Sequence, residues 1–241
     1  MDELFIKIKK TLERHETYAP LSIEDQVYIL NHEKSTELLA MYCNTYELAH
    51  EAQLLIFYMP NAKNLLEVYC KEHELAEVVQ LGMFEQQNVI ELLEVYCKEH
   101  ELAEAIQLEI FKHQNAIELL EVYCKEHELA EAIQLEMFKH QNAIELLEVY
   151  CKEHKLSDNV QLCMLSCKNA KELVKVYCKK WGLCHEAQIK MVGHPDAVEL
   201  IEVHSSNHLL WVGAYLLMRD LPNGRQLIEA HRRGCKKRVI N

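Results

Sequence analysis

Glycine and proline are nearly missing: the 241-residue chain holds six of the first and four of the second. Sheets joined by tight turns, and long loops, draw on both, so helices with short connections are expected. Positive charge is in deficit, with 26 Lys and Arg against 38 Asp and Glu, a net charge of −12. A general nucleic-acid binder must neutralise phosphates, so no specific nucleic acid is expected as a partner. Long apolar runs are absent. The longest, Leu209–Met218, falls well short of the roughly 20 residues needed to cross a bilayer, and no membrane span is expected. The opening Met-Asp-Glu-Leu-Phe-Ile-Lys lacks the basic stretch and apolar core of a secretory signal. Gly-rich phosphate loops, GxSxG and HExxH are likewise missing, so the chain reads as no enzyme, with no cofactor and no bound metal. A hydrophobic content of 49% nonetheless supports a folded core.

Repetition fills the chain instead. Leu92–Glu118 reads LLEVYCKEHELAEAIQLEIFKHQNAIE, and Leu119–Glu145 repeats it with Met137 in place of Ile110. Tyrosine recurs at 42, 69, 96, 123, 150 and 177, each followed by cysteine; leucine recurs at 48, 75, 102, 129, 156, 183 and 210. Several registers sharing a period of 27 residues mark a tandem array. Within a unit, Asn88, Asn115, Asn142, Asn169, Asp196 and Asn223 stand three residues before Glu91, Glu118, Glu145, Glu172, Glu199 and Gln226, which is capping-box spacing. It predicts a helix A from Ala116 to about Glu126, a turn at His127–Glu128, and a helix B from Leu129 to Phe138. Helices so short are marginal alone, and one hairpin cannot bury its own apolar surfaces. Stacked copies can.

The expected fold is all-α: a right-handed α-solenoid of about eight stacked helix-turn-helix repeats. Residues 1–33 read as an N-terminal cap and degenerate repeat, with Leu12, Leu21 and Gln26 keeping the period. Residues 34–222 hold seven hairpin repeats, and 223–241 a capping helix with a basic tail. The apolar helix Leu209–Met218 is expected to lie sandwiched between the preceding hairpin and the terminal helix. In architecture this resembles the solenoid class of tetratricopeptide, ankyrin and HEAT repeats, although the unit is shorter and the Trp-Leu-Gly-Tyr and Thr-Pro-Leu-His patterns of the first two are missing. Some secreted effectors of intracellular bacteria look like this as well. The resemblance implies a protein-binding scaffold or adaptor in the cytoplasm, either of its own cell or of a host. A regulatory subunit of an enzyme is a special case.

Four sets of residues are candidates for chemistry. The buried-face cysteines are expected to be reduced thiols, because hairpins stacked about 8–10 Å apart hold equivalent Cα atoms beyond disulfide reach. The competing reading is a metal or thiol-rich site built from Cys-x-x-His pairs at Cys70/His73, Cys97/His100, Cys124/His127 and Cys151/His154, with Cys163, Cys167, Cys178, Cys184 and His185 as a weaker cluster. Gln53, Gln80, Gln107, Gln134, Gln161 and Gln188 form a ladder amid apolar neighbours. A buried amide must be satisfied, so a structural ladder is expected; a groove reading a partner's backbone is the alternative. An acidic stripe, Glu91, Glu94, Glu118, Glu121, Glu145, Glu148, Glu172, Glu199 and Glu202, partly neutralised by lysines such as Lys125 at i,i+4, is the candidate docking strip for a partner protein or peptide with a basic segment. Last come the residues outside the period. Residues 219–241 are net +5, leaving −17 elsewhere, and Arg232-Arg233-Gly234-Cys235-Lys236-Lys237-Arg238 reads as a cap, a targeting signal or a secretion signal. His194, His204, His208 and Trp211 gather the other unrepeated polar groups.

Overall fold

The computed structural model describes residues 5, 6, 8–10 and 20–240, with the Ile240 side chain excepted. Every regular element among them is a helix. Two helix types alternate, and they divide between two compact units, Met1–His113 and Gln114–Asn241. In the first unit, B helices Ile23–Asn31, His50–Ile56, Glu77–Met83 and Glu104–Lys112 alternate with A helices Ser35–Cys43, Ala62–Cys70 and Val89–Cys97. In the second, A helices Ala116–Cys124, Ala143–Glu153, Ala170–Tyr177, Ala197–Ser205 and Gly224–Ile240 alternate with B helices Glu131–Met137, Asp158–Met164, His185–Val192 and Val212–Asp220. Inside each unit, every A helix packs on the next A helix and every B helix on the next B helix. Each unit is therefore an all-α, solenoid-like stack in two layers.

Packing makes helices this short possible. The A helices bury a leucine or aliphatic pair at 38/39, 65/66, 92/93, 119/120, 146/147, 173/174 and 200/201, together with the tyrosine and cysteine columns. Each such leucine contributes about 1.5–3 kcal/mol by leaving water. A nine-residue helix is only about 14 Å long, below the length at which an isolated helix holds. The six columnar cysteines, 43 through 178, are buried thiols, and no disulfide joins the described residues.

Three local expectations are corrected. A helices do begin where the spacing puts them, at Ala116 for instance, but the Asn and Asp residues before them do not act through their side chains. Asn88, Asn142, Asn169 and Asp196 have φ near −100° and ψ near 30° and make no capping bond. Side-chain capping needs an extended cap residue. Here the chain enters through a tight turn, and the first helical N–H bonds the carbonyl three residues back, as Ala143 does with His140 at 3.1 Å. Side-chain caps occur on B helices instead, at Ser22, Ser157 and Cys184. Helix B of the central unit starts at Glu131, with Leu129 buried in the loop before it. The apolar segment Leu209–Met218 is not enclosed. Its helix, Val212–Asp220, touches His185–Val192 and Gly224–Ile240, yet only Ala214 and Met218 are buried while Leu209, Val212 and Leu216 are exposed. No further B helix follows among the described residues to cover that side.

The terminal segments among the described residues are docked. Phe5 is buried and stacks on His32 at 4.7 Å between ring centres; Leu12 lies outside the described residues. The basic C-terminal segment is helical through Ile240 and lies against Ala197–Ser205. Gly234 permits the approach, because a Cβ there would meet the Glu202 carbonyl oxygen at 2.6 Å and Ser205 Cβ at 2.7 Å.

Candidate functional site: a charged A-helix face over three buried ladders

Most of the buried polar side chains among the described residues are tied up inside the chain. Each glutamine of the ladder donates from Nε2 to the leucine carbonyl five residues earlier: Gln53 to Leu48 at 2.8 Å, Gln80 to Leu75 at 2.9 Å, Gln134 to Leu129 at 2.9 Å, Gln161 to Leu156 at 2.9 Å and Gln188 to Leu183 at 2.8 Å, with Gln107 to Leu102 at 3.1 Å. The Oε1 atom accepts from the residue that starts the next B helix. Ala76 N–H reaches Gln53 at 3.2 Å, Ala103 reaches Gln80 at 3.0 Å, Ser157 reaches Gln134 at 3.2 Å, Cys184 reaches Gln161 at 2.7 Å and Trp211 reaches Gln188 at 2.6 Å. One amide thus closes its own B-helix entry and holds the entry of the next repeat, setting the stacking register. Gln26 already does both, with Leu21 and Ala49.

The Cys-x-x-His pairs serve a second ladder. His73 Nε2 lies 2.7 Å from the Cys43 carbonyl, His100 Nε2 2.6 Å from that of Cys70, and His154 Nε2 2.7 Å from that of Cys124. A carbonyl only accepts, so that nitrogen carries the proton. At the next position Trp181 stands in the histidine column and donates Nε1–H to the Cys151 carbonyl at 3.0 Å; His208 resumes the pattern on Cys178 at 2.9 Å. Tryptophan cannot ligate a metal, so the column supplies a ring N–H for a backbone acceptor. Burial also pushes the Cys43, Cys70 and Cys151 thiols up to about 12, far from the thiolate that zinc needs. Among the described residues, the His, Cys, Asp and Glu side chains that converge as a group of three or more are Asp158, Cys184 and Glu186. Cys163, Cys167, Cys178 and His185 do not join them.

Tyrosines form the third ladder. Tyr69 donates to Glu47 Oε1 at 3.5 Å, Tyr96 to Glu74 at 3.5 Å and Tyr150 to Glu128 at 3.3 Å, each reaching the loop of the preceding repeat. In the next repeat that loop position is Lys155, which offers no acceptor, and the buried Tyr177 hydroxyl has no partner. Lys155→Glu is expected to restore the bond and raise stability by about 0.5–1.5 kcal/mol in urea unfolding, an effect that Tyr177→Phe should abolish.

On the exposed face of the A helices the acidic stripe divides into two columns. Glu121 and Glu148 are paired, but across repeats: Lys152 Nζ lies 2.8 Å from Glu121 and Lys179 2.7 Å from Glu148. Glu202 receives Arg233 at 2.9 Å and Lys237 at 2.7 Å. Hydrogen bonds from these cations hold the three carboxyls below their usual range. The expected i,i+4 pairing within one helix occurs at Lys71–Glu67. Glu121 and Glu148 instead use the stacked neighbour: Lys152, in the last turn of its helix, and Lys179, two residues past the end of Ala170–Tyr177, reach back over the preceding repeat. The second column, Glu91, Glu118, Glu145, Glu172 and Glu199, is exposed, and no ion pair engages it among the described residues. Glu94 is exposed as well.

The unrepeated residues do not form a common site. His194 Nδ1 accepts from Asp196 N–H at 3.0 Å, the Trp211 ring stacks on His185 at 4.7 Å, and His208 belongs to the carbonyl ladder. His204 occupies the tyrosine column and is fully buried with neither ring nitrogen bonded. Sequence reasoning missed a groove of about 480 Å³ on the A face of the second unit, lined on one side by Lys171, Lys175 and Lys179. Its signal was available: Lys175 breaks a column that is glutamate at 67, 94, 121, 148 and 202.

No known family, curated protein or solved structure matches the chain. Its own residues carry the functional reading.

Proposed function

We propose that this chain is a non-catalytic interaction scaffold whose A-helix face holds a partner protein or peptide through a basic segment. The observation that carries the reading is the unpaired carboxylate column. In the second unit Glu118, Glu145 and Glu172 recur on successive A helices, exposed and without a bridge among the described residues, while the neighbouring column is neutralised from within. Stacked helices lie about 8–10 Å apart. A segment in the polyproline-II conformation advances about 3.1 Å per residue with about three residues per turn, so basic side chains at every third position share one face and meet one glutamate per repeat. The buried ladders keep that spacing regular, and the surplus negative charge draws a basic segment to the face.

The test is a labelled peptide with lysine at every third position, titrated by fluorescence anisotropy. Glu118, Glu145 and Glu172 all changed to Gln is expected to weaken binding at least about tenfold, and raising salt from about 50 to about 300 mM to weaken the wild type similarly. Binding indifferent to salt and to the triple substitution would sink the reading.

A further inference from the structure

The acidic face changes sign once in the second unit. Across repeats, the glutamate of one A helix is bridged by the cation 31 residues later: Lys152 to Glu121, Lys179 to Glu148 and Arg233 to Glu202. The bridge that would complete this series is missing on both sides at once. Its glutamate position is Lys175, and its lysine position is Ser206. Lys171, one turn earlier, stands where Ile90, Ile117 and Ile144 stand in other repeats. Residues 171, 175 and 179 fall on one face of the chain, four apart. They form one wall of the groove of about 480 Å³, and Ser206 and Lys237 belong to the other. Lys171 and Lys175 are exposed, and no ion pair engages either among the described residues. Of the carboxylates that line the space, Glu202 is already shared by Arg233 and Lys237, and Glu199 alone is left to oppose the lysines.

We infer that this groove is a second docking element that takes an acidic protein segment, its carboxylates seated on Lys171 and Lys175. The local charge argues for it: a lysine replaces the glutamate of the column and the cation that would have faced it becomes a serine, so positive charge is left unneutralised in a concavity. The inference extends the scaffold reading, on which it rests: a partner would carry a basic stretch followed by an acidic one, and the reversal would fix its direction along the face.

The experiment uses the full chain and a fluorescein-labelled hexaglutamate peptide at about 50 mM salt, read by anisotropy. Lys175→Glu returns the position to the residue found in the other repeats, and adding Ser206→Lys supplies the matching bridge, so both variants are expected to fold at least as well as the wild type. Hexaglutamate is expected to bind the wild type and to lose at least about tenfold in both variants, while the lysine peptide binds them as well as before or better. No binding of hexaglutamate to the wild type, or equal binding to the variants, overturns the inference. Capture of inorganic phosphate in preference to hexaglutamate overturns it as well. Failure of the lysine peptide with hexaglutamate behaving as stated removes the glutamate column alone; the reverse outcome removes the groove alone.

Discussion

Replacing Gln134 by leucine is expected to cost about 2–4 kcal/mol of stability, more than a buried residue of that size would suggest. Leucine fills the volume and suits the apolar surroundings of Ile133 and Met137. What it cannot do is serve the Leu129 carbonyl at 2.9 Å and the Ser157 N–H at 3.2 Å. Removing one partner leaves the other groups to bear their full desolvation cost, about 1–3 kcal/mol each. Both belong to helix entries, one in the same repeat and one in the next, so the damage reaches two B helices. Urea unfolding should show a lower midpoint. Gln134→Glu adds a directional check: its carbonyl oxygen can still accept from Ser157, but only the protonated carboxyl can donate to Leu129. Burial raises that carboxyl in the folded state above its unfolded value of about 4.3, so, relative to the wild type at the same pH, the variant is most stable below that value and loses stability as pH rises through its folded-state value. A Gln134→Leu protein with wild-type stability would mean that the ladder does not hold the stack.

Acid is expected to unfold the second unit through His204, and His204→Phe to remove most of that sensitivity. The ring is fully buried where other repeats carry tyrosine, and both nitrogens lack partners. Desolvation pushes it down to about 4, with His208, His231 and Arg238 adding repulsion. An unfolded histidine titrates near 6.5. Above that pH neither state takes the proton and the penalty is absent. As pH falls from about 6.5 to about 4 the unfolded chain binds a proton that the folded chain refuses, so stability is lost across that window, by about 3 kcal/mol at its lower end. Phenylalanine has no nitrogen to desolvate, and the column accommodates six-membered rings at Tyr150 and Tyr177. The difference in unfolding free energy between pH 7 and pH 4.5 should therefore shrink in the variant. An unchanged difference would place the acid response elsewhere.

The helices and their layers were legible because a repeat writes its own alignment. Leucine, tyrosine, cysteine and glutamine each return after 27 residues, and equivalent residues had to meet if the hairpins stacked. That the glutamines would be buried was legible in the same way. Their partners were not, since the Ser157 N–H lies 23 residues from Gln134 and meets it only once two B helices are side by side. The Asn-x-x-Glu spacing misled for a related reason: it predicts a cap only when the cap residue is extended, and a backbone near φ −100° is a property of the turn, not of the asparagine. In the acidic stripe, spacing within one helix suggested i,i+4 bridges, whereas the observed lysines cross to the preceding repeat. The change of sign at Lys175 could be read from the column itself, but its meaning could not, because a groove exists only between helices.

Amide hydrogen exchange on the full chain, with and without the lysine-repeat peptide, tests the docking face most directly. Protection is predicted in A helices Ala116–Cys124 and Ala143–Glu153, where Glu118 and Glu145 stand, with B helices Glu131–Met137 and Asp158–Met164 unchanged. Protection confined to those B helices, with the A helices exchanging as in the free protein, would contradict the account.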